Sequence, residues 1–268
     1  MTPRGCGSRI PLHLNISHFT ALIKTTVEFP DKFELKFKLG SQPNDTSCGP
    51  TCLQAVYRYY GHIKALEELI QEIPELEMGG TLAVHLGIHA LKSGFKASLY
   101  TFNLRIFDPT WFTHERDEFR KKLETQTTNR PNAKQKNAAK AYLKFHDLGG
   151  RILLHDLNNR LIRKFIRRGF PILTGLSSTF LYRTSRDIQK SNEPDDMLGE
   201  PTGHFVVLKG YDKIERKVIV ADPYRENPIS GDNLYVVRMD RLINSILLGV
   251  LTYDANLLVI YPDKTKPL

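Results

Sequence analysis

The chain has 268 residues and a mass of 30.7 kDa, 41% hydrophobic and 25% charged. That is long enough for a core without disulfide or metal staples, and it excludes collagen-like, low-complexity and wholly disordered readings. Lys and Arg number 38 against 29 Asp and Glu, a net charge of +9, so a nucleic-acid or anionic-membrane partner becomes a question of where the charge lies.

In chain order, residues 1–39 read as an N-terminal arm. His13, Asn15, Ser17 and His18 break every apolar run that could serve as a secretory signal. Phe33, Leu35, Phe37 and Leu39 alternate with Lys32, Glu34, Lys36 and Lys38, which predicts a strand. From Cys48 to Tyr60 the period becomes helical, with Gly61 closing the element. A second helix fits 66–73 before Pro74, and a third runs to Gly94 with Thr81 as its cap. Three more are predicted over 115–125, 133–146 and 157–168. Beyond them the pattern changes to short β-rich runs at 172–176, 205–210, 218–221, 234–237 and 257–261. A helical first half followed by a mostly antiparallel second half reads as α+β. No stretch of eighteen apolar residues exists, so no membrane span is expected. Three cysteines, an odd number, fit neither a disulfide framework nor a four-ligand zinc site; together with the missing signal they predict a cytoplasmic protein.

The charge is local. Residues 115–168 hold fifteen Lys and Arg against six Asp and Glu, and the other 214 residues balance at 23 of each sign. The plain reading of this segment is a set of solvated helices with basic outer faces. The sharper one is a surface for an acidic partner or nucleic acid, although the aromatics are too sparse for a single-strand stacking platform.

Chemistry concentrates in Gln42-Pro43-Asn44-Asp45-Thr46-Ser47-Cys48-Gly49-Pro50. A cysteine where a loop enters a helix meets the positive end of the helix dipole and the free amides of the first turn, which favour thiolate. Cys48 is therefore the candidate nucleophile, and Gly49 is expected to admit a substrate backbone beside it. His204 begins one β-rich run and Asp222 ends the next, so a hairpin between them would set an imidazole beside a carboxylate. Gln42, six residues before Cys48, can donate to an oxyanion at the same helix end as the Cys48 amide. Cys52, one turn on, falls on the buried stripe. His85 and His89 share a helix face but lack the following glutamate and a third ligand, so no metal is expected there, and no cofactor elsewhere. The loop 187–203 is acidic and could favour basic substrate residues or dock on the basic segment.

The pattern Gln-x5-Cys-Gly at a helix start, then Gly-His before a β run, then Asp-Pro, resembles the papain-like cysteine peptidases. The similarity is to the bacteriocin-processing, double-glycine-leader branch and its stand-alone relatives. It spans residues 40–62 and 170–225. The resemblance implies a papain-like fold, with the nucleophile's helix packed on a C-terminal antiparallel sheet. It implies Cys48 as nucleophile, His204 as base, Asp222 as the group orienting His204, and Gln42 in the oxyanion hole. It divides the chain into an arm over 1–39 and a catalytic domain over 40–268, interrupted by a basic helical insertion at 113–168. No ATPase or membrane-spanning segment accompanies the pattern, so an export role is not expected to transfer. The reading is thus a thiol hydrolase acting on a peptide or protein substrate. The alternatives are an acyl or peptidyl transferase using the same site, and a non-catalytic binding module acting through the basic segment.

Overall fold

The computed structural model describes residues 30–263 other than 78, 189, 190 and 253, so most of the arm over 1–39, Cys6 included, lies outside the described residues. The first half holds β1 (Lys32–Glu34), α1 (Cys48–Tyr59), α2 (Leu66–Glu72), α3 (Ala83–Lys92), β2 (Phe95–Thr101), α4 (Arg116–Asn129), α5 (Ala133–Asp147), β3 (Arg151–Leu153) and α6 (Asn159–Arg167). The second holds β4 (Ile172–Ser177), α7 (Ser178–Tyr182), β5 (Asp187–Ile188), β6 (Glu193–Pro194), β7 (Gly203–Asp212), β8 (Lys217–Ala221), β9 (Leu234–Arg238), α8 (Met239–Leu248) and β10 (Asn256–Pro262). The fold is α+β with a mostly antiparallel sheet, as expected. Among the described residues no helix is long and apolar enough to cross a membrane.

One sheet organises the chain, in the order β3-β2-β10-β4-β7-β8-β9 with β1 added on β7. Its ladders are antiparallel except for β2 with β3. Three of its strands, β1, β2 and β3, come from the first half, and only β1 is predicted by the alternation there. β2 escapes a periodicity reading because every residue except Lys96 is buried, as befits a strand covered on both faces. The ladder of β1 stops at Glu34, yet the predicted alternation continues past it, with Leu35 and Phe37 buried and Lys36 and Lys38 exposed. Gly210 on β7 permits this approach: a Cβ there would lie 2.9 Å from the Phe33 carbonyl oxygen.

The basic segment shares the core of the sheet. Phe119 and Leu123 of α4, Tyr142 and Phe145 of α5, and Phe165 of α6 belong to the same buried cluster as Val206 and Leu258. In α6, Ile162, Phe165 and Ile166 face inward while Arg160, Arg163, Lys164 and Arg167 lie on the other arc. Arg120 joins α4 to α5 through Asp147 at 2.8 Å.

The predicted cap of α3 is corrected. Thr81 donates its hydroxyl to the Pro74 carbonyl, and it is Asp254 Oδ2 that accepts the Ala83 N–H, at 2.8 Å. Asp254 is fully buried, and burial raises its carboxyl to about 7.

Candidate active site

The loop before α1 is shaped by its own side chains. Asn44 Oδ1 accepts the amide and hydroxyl of Thr46, and Ser47 Oγ donates to the Asn44 carbonyl at 3.1 Å. Ser47 stands at the N-cap position without its side chain capping the first turn, which holds no acidic residue. The positive end of the helix is thus left to Cys48, the first helical residue, whose side chain is 6% exposed.

Gly49 follows for a reason other than the one expected. A Cβ there would lie 2.7 Å from Thr81 Cγ2, 3.3 Å from Phe205 Cδ2 and 3.4 Å from Leu86 Cδ1. The glycine lets the first turn of α1 press between α3 and β7, and its surroundings are core side chains rather than an approach for substrate backbone. Cys52 anchors the next turn, its thiol donating to the Phe205 carbonyl at 3.4 Å, and burial holds that thiol well above its ordinary pKa.

β7 and β8 pair as the expected hairpin, with Val207 opposite Ala221, so His204 near the start of one strand meets Asp222 just beyond the end of the other. His204 Nε2 lies 2.7 Å from Asp222 Oδ1, and Cys48 is near enough to the same imidazole to favour its protonated form. With Nε2 committed to the carboxylate, Nδ1 is the nitrogen left for sulfur. Asp222 is completely buried and accepts four donors: the His204 ring, the Tyr224 amide at 2.9 Å on Oδ1, and the hydroxyls of Tyr182 and Tyr235 at 2.7 and 2.6 Å on Oδ2. Sequence reasoning missed both tyrosine hydroxyls. In sequence each is one apolar-patterned residue among many.

These contacts set the electrostatics. Burial pushes the His204 imidazolium down, but the Asp222 charge and hydrogen bond outweigh it and raise the group to about 10. Burial likewise pushes the Asp222 carboxyl up, yet the His204 charge and the three side-chain donors leave it below its ordinary value. The tyrosine hydroxyls, desolvated and facing a carboxylate, are held far above their ordinary range and stay protonated donors. A thiol, an imidazole and a buried carboxylate in line can move a proton off sulfur and hold the resulting imidazolium.

The Gln42 loop is tied to the Asp222 loop. Gln42 N–H donates to the Pro223 carbonyl at 2.9 Å, and Asn233 links both segments by accepting from Ser41 Oγ and donating to the Asp222 carbonyl. One N–H of the Gln42 side-chain amide is used by the Asn44 carbonyl at 2.9 Å, which orients the group and leaves the second N–H available. A hollow of about 270 Å³ lies beside this end of the sheet, lined by Ser177, Phe180, Arg183, Arg186, Leu248 and Leu251 among others. Ser177 pairs with Gly203, the residue before His204, and none of Gln42, Cys48, His204 and Asp222 lines this hollow.

The remaining sequence candidates sit elsewhere. His89 places its two ring nitrogens on Tyr57 and Glu72, each at 2.8 Å, and His85 faces Thr81; among the described residues no group of three His, Cys, Asp or Glu could hold a metal. In the acidic loop, Asp187 accepts the Thr202 hydroxyl, Asp195 accepts the amides of Met197 and Leu198, and the loop forms no ion pair with the basic segment among the described residues.

Comparison with known proteins places this site in context. A family model described as the Peptidase_C39 like family matches residues 34–235. The chain is similar to the peptidase domain of Streptococcus ComA, a bifunctional ABC transporter involved in quorum sensing, at 14% identity over 85% of this chain and 99% of that one, TM-score 0.40. It is similar to a Bacillus anthracis protein described as a C39-like peptidase, at 16% identity over 88% and 99%, TM-score 0.47. Xylellain, a cysteine protease from Xylella fastidiosa, aligns at 13% identity over 88% and 87%, TM-score 0.41. No curated protein matches.

Proposed function

The chain belongs to the Peptidase_C39 like family and is a cysteine peptidase, and we propose from that premise that Cys48 attacks the substrate carbonyl with His204 as its base. The observation that carries this assignment is the line from the Cys48 thiol through the His204 imidazole to the buried Asp222 carboxylate. His204 holds the proton given up by the thiol, as an imidazolium stabilised by Asp222, and the thiolate sulfur adds to the carbonyl carbon. The Cys48 amide and the free N–H of Gln42 receive the oxyanion. His204 then returns a proton to the leaving amine, which departs as the thioester forms. Water, deprotonated by the same imidazole, releases the acid and restores the thiol. Asp222 keeps the ring oriented and its charged form stable throughout.

The substrate is a peptide or protein. The reading of 40–268 as one catalytic domain carrying the basic segment is supported by the single buried cluster that joins Cys48 and Phe205 to Phe119 and Phe165. Neither the transferase reading nor nucleic-acid binding has an observation in its favour. Product analysis on a peptide library tests the assignment: equimolar new carboxyl and amino termini are expected from the wild-type chain and none from Cys48→Ala. Undiminished cleavage by Cys48→Ala would overturn it.

A further inference from the structure

A second hollow, of about 710 Å³, opens between α2, α3 and α5, and no residue of the Cys48 site lines it. Two helix faces meet across it. His85, Ile88, His89 and Lys92 of α3 stand at helical spacing, as do Asn137, Lys140, Ala141 and Lys144 of α5. The floor is apolar, Ile88 and Ala141 each being 8% exposed, while the lysines stand around the rim. Lys64 and Glu72 close one side.

The charges in this hollow do not balance. Its lining carries four lysines and one carboxylate, Glu72, and that carboxylate is already engaged by Lys64 and His89, each at 2.8 Å. Among the described residues Lys92, Lys140 and Lys144 have no acidic partner within ion-pair distance. Facing rows of like charge cost free energy, and an anion between them would turn that cost into attraction. The field reaches the histidines: after burial, the Lys144 charge holds His85 below its ordinary value, and Lys64 and Lys92 act the same way on His89.

We propose that this hollow binds a small molecule carrying two or more phosphoryl groups. Its volume lies in the range of small-ligand pockets, about 300–1,000 Å³. No arginine lines it, so the planar fork suited to carboxylates is absent, whereas flexible ammonium point charges suit phosphoryl oxygens. Enclosure by three helices offers no strand edge to an extended acidic peptide. The ligand gives part of the basic segment a purpose apart from peptide hydrolysis, since Lys140 and Lys144 belong to that segment.

Calorimetric titration of inorganic pyrophosphate into the full chain tests the site. Saturable binding at one site per chain is expected. It should weaken at least tenfold in Lys140→Gln/Lys144→Gln, and independently in Lys92→Gln on the opposite helix. Lys121→Gln/Lys134→Gln, which removes equal charge from the same segment outside the hollow, should leave it unchanged. Far-ultraviolet circular dichroism checks that each variant is folded. Absence of saturable binding, equal weakening in both double variants, or an Asp/Glu decapeptide binding where pyrophosphate does not would overturn the proposal.

Discussion

The Tyr235 hydroxyl donates to Asp222 Oδ2 at 2.6 Å, the carboxylate oxygen that His204 does not use. Tyr182 donates to the same oxygen, so the two tyrosines act as positioning residues that keep the carboxylate ionised and its other oxygen aimed at the imidazole. Hydrogen bonds to a charged group contribute about 1.5–3 kcal/mol each. Tyr235→Phe is expected to lower the His204 titration midpoint, followed by NMR of the imidazole, and to reduce kcat with little change in KM. An unshifted midpoint would show that Asp222 is held without this hydroxyl.

The raised His204 group predicts a pH dependence of stability. Folded chains keep its proton to about pH 10, whereas an unperturbed imidazole releases it near 6.5. The folded state binds the extra proton across that window, so stability falls as pH rises through it, by at most about 1.4 kcal/mol per pH unit. On the acid side the Asp222 contribution is lost as pH falls through its lowered value. Urea unfolding at several pH values should show the alkaline slope in the wild-type chain and not in His204→Gln.

Gly49→Ala sets two effects against each other. The helix gains up to about 1 kcal/mol of propensity, but the new Cβ falls 2.7 Å from Thr81 Cγ2, and overpacking of this kind costs about 1–3 kcal/mol. The overlap should win and lower Tm. Thr81→Ser removes that methyl while keeping the hydroxyl on the Pro74 carbonyl, so the double variant is expected to recover part of the loss.

Cys52 is a core thiol, fully buried and bonded to the Phe205 carbonyl. Cys52→Ala should cost about 1 kcal/mol in chemical denaturation, from a lost donor and a small void, and leave alkylation of Cys48 intact. A matching loss of Cys48 reactivity would assign Cys52 a part in the chemistry.

What could be read in advance followed from locality. Helix α1 and the hairpin of β7 and β8, which sets His204 beside Asp222, rest on spacings and turns visible within short windows, whereas joining Cys48 to them rests on the family resemblance. The predicted cap at Thr81 failed because the real acceptor, Asp254, lies 171 residues away from Ala83. Strand β2 was invisible because burial on both faces erases alternation, and α8 because it follows β9 with no Gly or Pro between them. The role of Gly49 and the hydroxyls of Tyr182 and Tyr235 depend on what the other elements bring against them, which no window contains.

The central claim, that Cys48 is activated by His204, is tested most directly by treating the chain with a thiol-reactive peptidyl electrophile and locating the adduct by mass spectrometry. The adduct is expected on Cys48, and its formation should collapse in His204→Ala. Labelling that misses Cys48, or that proceeds at the wild-type rate in His204→Ala, would contradict the account.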